Sequence, residues 1–414
     1  MSNVVPLKLY RPRERDARAV ASPPYDVVSR EEASRLASGN PLSFLHVEKS
    51  EIGLESPSAG EAADDRVYRL ARENLERLIA DGTLIQDAGP RYYVYRQRMG
   101  DHSQYGIVAG VSAAEYESGR IRKHELTRAD KEEERTRHVE IAGAQTGPVF
   151  VTYRAQAEID GIVAKTVAGR PEYDFTTDDG IGHTVWVVGE DADIAALRDA
   201  FLKVETLYIA DGHHRAAAAA AVSRMRRERS IAARGDEACH WILAVLFPHD
   251  QLRILDYNRV VRDLQGLSAA AFLEGVGTKF RIETDPAAKK PARPHEFGMY
   301  LDGRWRRLAW KRKTAYRDPV RNLDVTILQE ELLGPVLGIQ DPRTDRRIDF
   351  VGGIRGMAEL ERLVDTGGFR VAFSLYPTTL EEMMRVADAG RVMPPKSTWF
   401  EPKLRSGLFV HRLW

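Results

Sequence analysis

The stretch that most constrains the fold of this chain is Thr206–Arg215, TLYIADGHHR, which an alanine run follows directly. Leu207–Ile209 has the composition of the end of a buried strand, and Gly212 permits a turn that a residue with a Cβ would resist. Ala216–Ala221 is the strongest helix-forming run in the sequence. The order predicts a strand, a tight turn and a helix whose first turn carries two imidazoles and a guanidinium.

The predicted turn combines residue types that suit a phosphate. A helix N-terminus presents unsatisfied N–H groups and the positive end of a dipole, and both favour an anion. Arg215 adds a side chain that can clamp phosphate through two parallel hydrogen bonds. Asp211, His213 and His214 are types used in proton transfer and in metal binding. Phosphate binding by Gly212, His213, His214 and Arg215 is therefore the favoured interpretation.

Two other interpretations of the turn stay open. In the first, it is only a helix start, with Asp211 as the cap and both histidines exposed. In the second, Asp211 and the histidines bind zinc, since all are accepted zinc ligands. Adjacent histidines on a helix point about 100° apart, so His213 and His214 would rarely reach one ion.

The length and composition predict two domains of mixed structure. A chain of 414 residues exceeds one typical core. Prolines and lysines cluster between positions 285 and 300, so we expect one domain over 1–285 and a smaller one over 286–414. Strand-like and helical segments alternate throughout, which favours an α+β architecture with a mixed sheet in the larger domain and a smaller α+β C-terminal domain.

Charge and cysteine content exclude several classes of protein. The 61 basic and 61 acidic residues cancel, which argues against a dedicated nucleic-acid binder. Cys239 is the one cysteine and cannot form an intramolecular disulfide, which suits a reducing cytosol. The N-terminus lacks the pattern of a signal peptide, and the apolar runs are too short to span a bilayer. We expect a cytoplasmic protein without a membrane partner; its oligomeric state is open, a homodimer being one option.

His124 and Glu125 form a pair that indicates a catalytic role only in combination with the rest of the site. Without a second histidine four residues on, the pair is not a zincin signature, and an exposed pair is the default. A phosphoryl acceptor must, however, lose a proton, and a carboxylate within hydrogen-bond reach is the usual base. Glu125 is the candidate for that base.

Two proline-containing loops are further candidates. Tyr25 and Asp26 end the segment SPPYD, which is either a surface turn or a rigid loop over a pocket. Lys396, Ser397 and Thr398 follow two prolines, and a lysine with two hydroxyl residues can cradle phosphate, although such loops are often structural. The preceding glycines of a P-loop are missing, so a Walker-type site is not supported.

Several segments have clear local patterns. Positions 66–81 are predicted to form an amphipathic helix that Gly82 ends. Tyr92–Met99 and Gly106–Tyr116 are predicted to be the two strands of a hairpin around Gly100-Asp101. The apolar run Leu42–Val47 predicts a short buried strand, and Leu323–Leu337 has helical spacing that Pro335 must kink or end.

Five stretches of the chain carry a resemblance to a known family: Ser22–Asp26, Asn40–Leu45, His124–Thr127, Ala210–Arg215 and Val386–Thr398. Together they resemble the prokaryotic family known as domain of unknown function 1015. Where that family usually has an Asp-Arg pair after the His-Glu motif, this chain has Glu134-Arg135.

The Asp-Gly-His-His-Arg element is also similar to the signature of the ParB/sulfiredoxin-like fold, whose members bind nucleotide phosphates at this turn. Sulfiredoxins need a thiol where this chain has His213, so their chemistry is excluded. ParB proteins add a helix-turn-helix and a basic DNA face, which the balanced charge disfavours. The third branch phosphorylates free serine and uses an upstream glutamate as base.

The resemblance to this third branch implies a kinase for serine or a related metabolite. ATP or ADP would bind at Gly212–Arg215, Asp211 would hold Mg²⁺, and Asp211, His213 and Glu125 would act in catalysis. The substrate would meet His124, Tyr25, Asp26 and Lys396–Thr398. A non-catalytic nucleotide-binding regulator and a metal-dependent hydrolase are the alternatives.

Overall fold

The computed structural model describes residues 2–54, 65–229, 237–284, 289–312 and 316–414. The chain divides into two compact units, Met1–Leu252 with Pro402–Trp414 and Arg253–Glu401. The boundary expected at 285/286 falls at residues outside the described ones, and the observed division lies earlier. The strands that follow Leu252 pair with other strands of the second unit, while the last residues of the chain belong to the first unit.

The elements of the first unit are numbered here along the whole chain. Its helices are α1 (Ala17–Val20), α2 (Arg30–Ala37), α3 (Leu45–Glu48), α4 (Asp65–Ala80), α5 (Ala113–Glu117), α6 (Ala129–Ala142), α7 (Ala157–Val167), α8 (Asp191–Leu202) and α9 (His213–Glu228). Its strands are β1 (Val4–Val5), β2 (Tyr10–Pro12), β3 (Leu84–Gln86), β4 (Tyr92–Met99), β5 (His102–Ser112), β6 (Ile121–Arg122), β7 (Ala144–Gln145), β8 (Val149–Tyr153), β9 (Tyr173–Thr176), β10 (Gly182–Val188), β11 (Leu207–Asp211), β12 (Trp241–Pro248) and β21 (His411–Arg412).

A mixed sheet forms the centre of the first unit. Its strands follow the order β6-β11-β8-β12-β5-β4-β10-β9, and β1 pairs with β5. The β6–β11 and β8–β12 pairs are parallel, and the other pairs are antiparallel. The predicted α+β class with a mixed sheet is thus confirmed.

The alanine run lies in α9, and its small side chains explain where this helix packs. Ala216 and Ala219 are buried in the same apolar cluster as Ile209 and Val151 of the sheet. On another face of α9, Ala218 and Val222 pack with Val139 of α6. Because α9 is covered on more than one side, residues without bulky side chains let the helix approach both neighbours closely.

The strands of the second unit are β13 (Arg253–Leu255), β14 (Tyr257–Val261), β15 (Phe280–Thr284), β16 (Glu296–Leu301), β17 (Arg304–Trp310), β18 (Ile348–Gly352), β19 (Val371–Leu375) and β20 (Trp399–Glu401). Its helices are α10 (Ala269–Lys279), α11 (Asp324–Leu328), α12 (Met357–Thr366) and α13 (Leu380–Asp388). A π-helical turn, Gln329–Leu333, follows α11. The unit is built on an antiparallel sheet of order β15-β17-β16-β19-β14-β18, and β13 and β20 form a separate pair.

Two of the predicted local elements are confirmed and one is wrong. The helix expected over 66–81 is α4, and the hairpin around Gly100 is β4–β5. The strand expected over Leu42–Val47 is wrong, because α3 begins at Leu45. A short apolar run does not distinguish a buried strand from a buried helical turn. In the part of the chain described, no helix is long and apolar enough to cross a membrane.

Candidate active site

Two parallel strands bring the predicted site residues together. Leu207 of β11 pairs with Ile121 of β6, and Tyr208 pairs with Arg122. Because paired parallel strands end at the same edge of a sheet, the loop that follows β6 leaves beside the turn that follows β11. That loop carries His124 and Glu125, which are distant from the turn in sequence.

The turn has the geometry that its sequence predicts. Gly212 has a φ of +86° and caps α9, in the left-handed region that residues with a Cβ avoid. The register of β11 against β8 shifts between Ile209 and Asp211, so a bulge precedes the turn. Bulges often re-aim side chains beside functional sites. Asp211 is the last residue of the strand and His213 the first of the helix, so Asp211 is not the cap.

His124, Glu125 and His213 form a cluster. One donor atom from each lies within 4.8 Å of the others. The His124 and His213 rings meet edge to face with centroids 4.6 Å apart, and both are buried. Burial lowers the pKa of His124 to about 4, and burial together with the neighbouring His124 ring holds the pKa of His213 well below its usual value. Both rings are therefore neutral at pH 7.

Asp211 is held between two cations. Its Oδ2 lies 3.1 Å from Nζ of Lys403 and 4.0 Å from Nη2 of Arg215. Burial acts to raise the pKa of Asp211, but Lys403 and Arg215 outweigh burial and leave that pKa far below its usual value. The carboxylate is therefore ionised at neutral pH.

The two basic residues after His213 are engaged within the protein. Arg215 is buried, donates a hydrogen bond to the carbonyl of Pro148, and lies 3.8 Å from Oδ2 of Asp26. Nε2 of His214 accepts a hydrogen bond from the backbone N–H of Arg128 at 3.1 Å, and this ring is half-buried. The backbone turn has the form that the sequence predicts. The side chains of His214 and Arg215, which were predicted to contact phosphate, already have partners within the protein.

Asp26 lies 3.8 Å from Arg215 of the turn, and the preceding Tyr25 contacts Arg135 of α6. The guanidinium of Arg135 stacks on the Tyr25 ring, 3.9 Å from its centroid, and forms a buried ion pair with Glu48 at 3.0 Å. Sequence reasoning did not single out Glu48. Arg135 belongs to the Glu-Arg pair noted in the family resemblance, whereas Glu134 pairs with Lys131 at 2.6 Å nearer the surface. Arg135 is thus the member of that pair that reaches the site.

Lys396, Ser397 and Thr398 lie in the second unit. The carbonyl of Lys396 accepts a hydrogen bond from Arg259 at 2.9 Å, and Oγ of Ser397 donates to the carbonyl of Pro394 at 2.6 Å. These bonds hold the loop in shape within its own unit. The substrate contact predicted for the three residues remains a prediction.

Two sets of residues could hold a metal ion. Asp211 supplies a carboxylate, the ligand type that Mg²⁺ prefers. His124, Glu125 and His213 supply two imidazole nitrogens and one carboxylate oxygen, a donor set that suits zinc and its neighbours.

The chain belongs to the family described as Protein of unknown function (DUF1015), whose model matches residues 4–326. Among curated proteins, none matches the sequence significantly.

Several solved structures are similar to this chain. A free serine kinase in complex with AMP has 13% identity and a TM-score of 0.36, and the match covers 71% of this chain and 86% of that one. A conserved hypothetical protein from Pyrococcus furiosus has 12% identity and a TM-score of 0.34, over 72% and 93%. SbnI with a C-terminal truncation, from Staphylococcus aureus, has 11% identity and a TM-score of 0.35, over 71% and 82%. These values mark a remote similarity.

Proposed function

We propose that this protein is a small-molecule kinase that moves a phosphoryl group from ATP or ADP to a hydroxyl of serine or a related metabolite. The observation that carries the proposal is the position of Glu125. Its carboxylate lies in one cluster with His213, at the first turn of α9, where a helix N-terminus favours an anion. A carboxylate beside an anion site is what an in-line transfer to a hydroxyl needs.

The reaction assigns one role to each group at the turn. Glu125 accepts the proton of the substrate hydroxyl, whose oxygen forms a bond to the terminal phosphorus. The bond from that phosphorus to the bridging oxygen breaks, and ADP or AMP leaves. The amides of Gly212–His214 bind the phosphates. A neutral ring still carries one N–H, so His213 and His214 can each donate to the phosphoryl oxygens.

Arg215 supports the same assignment. Its Nε is buried beside Gly212 and has no hydrogen-bond partner among the residues that the structure describes. A buried N–H without a partner costs free energy that a phosphate oxygen would recover. The guanidinium would then interact with the nucleotide phosphate as well as with the carboxylates of Asp26 and Asp211.

The remaining residues complete the proposal. Mg²⁺ bound at Asp211 would neutralise phosphate charge, which is the chemistry that this ion supplies in phosphoryl transfer. Lys403, beside Asp211, holds positive charge at the same place. His124, Tyr25 and Asp26 would contact the acceptor molecule.

Turnover of a panel of hydroxy amino acids with ATP or ADP and Mg²⁺ tests the proposal, with ADP or AMP as the measured product. Glu125→Gln should lower turnover by roughly 10²–10⁴-fold, the usual contribution of a general base, while the nucleotide dissociation constant stays the same. Glu158→Gln, at an exposed ion pair with Lys203, is the matched control and should behave as wild type. Unchanged turnover in Glu125→Gln would remove the base assignment. Nucleotide binding without product from any acceptor would favour the non-catalytic regulator.

A further inference from the structure

The cluster of His124, Glu125 and His213 has the composition of a three-ligand metal site. Two imidazoles and one carboxylate come from the loop after β6 and from the first residue of α9, which follows the adjacent strand β11, and one donor atom of each lies within 4.8 Å of the others. Donors on one tetrahedral ion with bonds of about 2.1 Å lie roughly 3.4 Å apart. Small side-chain rotations would close the remaining distance.

An independent observation points to a ligand in this place. Nε2 of His213 is buried, in a residue only 5% exposed, and has no hydrogen-bond partner among the described residues. A buried polar atom left in this state destabilises the fold, so native structures nearly always satisfy it with a partner. A metal ion bound to this nitrogen would supply that partner.

The surroundings favour these three residues over their neighbours. His124 hydrogen-bonds the backbone of Ile209, the kind of contact that orients histidine ligands in metal sites. The adjacent His214 differs, because its Nε2 already accepts the N–H of Arg128.

We propose that His124, Glu125 and His213 bind one divalent transition-metal ion of the zinc class, with a coordination position left for water or a phosphate oxygen. The donor set distinguishes this site from the Mg²⁺ position at Asp211, because imidazole nitrogen suits zinc, copper or nickel better than magnesium. An ion here occupies the Glu125 carboxylate and withdraws it from proton transfer. That inhibitory effect rests on the proposed kinase function, whereas the binding of the ion does not.

Cobalt and zinc binding to the metal-free full chain test the site. Addition of Co²⁺ should give the visible absorption of a low-coordinate cobalt ion with one equivalent bound, and Zn²⁺ should abolish the band by displacement. Glu125→Gln and His213→Gln should each weaken Zn²⁺ binding at least 10-fold in calorimetry. Glu125→Gln preserves side-chain size at a partly exposed position, so it keeps the test valid if the His213 variant fails to fold. His214→Gln is the matched control and should bind as wild type.

The outcomes separate this site from the kinase proposal. Absence of the cobalt band, or equal zinc affinity in Glu125→Gln, would overturn the metal site whatever the turnover assay gives. Zinc bound by these residues in a protein without kinase turnover would keep the site and refute the kinase. If both hold, Zn²⁺ added over saturating Mg²⁺ should inhibit turnover at the concentration at which it binds; turnover that persists with zinc bound would refute the inhibition.

Discussion

Nζ of Lys403 lies 3.1 Å from Oδ2 of Asp211, although the two residues are 192 positions apart in the chain. Lys403 belongs to the short segment that returns to the first unit after the second unit has ended. The charge balance at the candidate site therefore depends on residues from the end of the sequence. Arg215 also lowers the pKa of Asp211, but its guanidinium lies farther from the carboxylate, at 4.0 Å.

Substitution of Lys403 tests this dependence. Lys403→Met removes one of two cations beside the half-buried carboxylate of Asp211, so we expect the free energy of unfolding to fall by roughly 1–3 kcal/mol. Urea unfolding of the first unit measures this loss. Lys8→Met, at an exposed lysine of the same unit, is the control and should change stability by less than about 0.5 kcal/mol. Equal stability of the two variants would show that the ion pair contributes nothing.

Gly212→Ala separates backbone strain from crowding at the turn. A Cβ at Gly212 would lie 3.0 Å from Nε of Arg215 at a φ of +86°, whereas Gly180 has a φ of +79° and no atom within 4 Å of an added Cβ. We expect Gly180→Ala to cost about 1 kcal/mol and Gly212→Ala roughly 2–3 kcal/mol, because the latter also displaces the guanidinium. Thermal unfolding gives both values. A Gly212→Ala loss no larger than that of Gly180→Ala would mean that Arg215 moves without cost.

Arg215→Met should weaken nucleotide binding. The variant leaves Asp26 and Asp211 without this cation and removes the proposed phosphate contact, so the nucleotide dissociation constant should rise by the equivalent of roughly 1.5–3 kcal/mol. Arg224→Met, on the same helix with a largely exposed side chain, is the control and should bind nucleotide as wild type. Calorimetry measures both constants; equal affinity would contradict the phosphate site.

Buried histidines should make the first unit sensitive to acid. Burial lowers the pKa of His138 and His411 to about 4 and, with the nearby Arg405, that of His183 to about 3. In the unfolded chain these rings take up protons below about pH 6.5, while the folded state holds them neutral. The unfolded state then binds more protons, so stability falls as the pH drops from about 6.5 towards 4, by up to roughly 4 kcal/mol per pH unit for the three rings.

Urea unfolding at pH 7 and at pH 5 measures this loss. His411→Gln should reduce the difference between the two pH values, because one group with a lowered pKa is gone and the amide can still donate to the carbonyl of Ala238 that Nε2 of His411 contacts. His46→Gln, at a half-buried histidine, is the control. The same difference in His411→Gln and wild type would refute the assignment.

Asp324 should give the second unit the opposite pH dependence. Burial raises the pKa of Asp324 to about 8, even though Oδ1 accepts the N–H of His295. The folded state therefore keeps a proton that the unfolded chain loses above about pH 4, and stability falls as the pH rises from about 4 to 8. Asp324→Asn, which stays neutral, should flatten this slope in thermal unfolding of the second unit. An unchanged slope would show that Asp324 is ionised in the fold.

Some of the fold was predictable because it depends on short-range properties of the chain. The turn at Gly212 follows from a glycine between a strand-forming run and an alanine run, and α4 from its amphipathic period. The family was also predictable, because short motifs carry the resemblance; the family model matches residues 4–326. The strand expected at Leu42–Val47 was wrong, since its apolar run carries no period that separates strand from helix.

The sequence by itself determined the strand, the turn, the helix and the residue types of the candidate site, because each is a property of neighbouring residues. Only the tertiary structure decided that His124 and Glu125 meet His213, since that depends on the parallel pairing of β6 with β11. It also decided the partner of Asp211, because a segment of the chain end supplies Lys403. Contacts between distant residues depend on which strands pair and where the chain returns, and no local pattern encodes either.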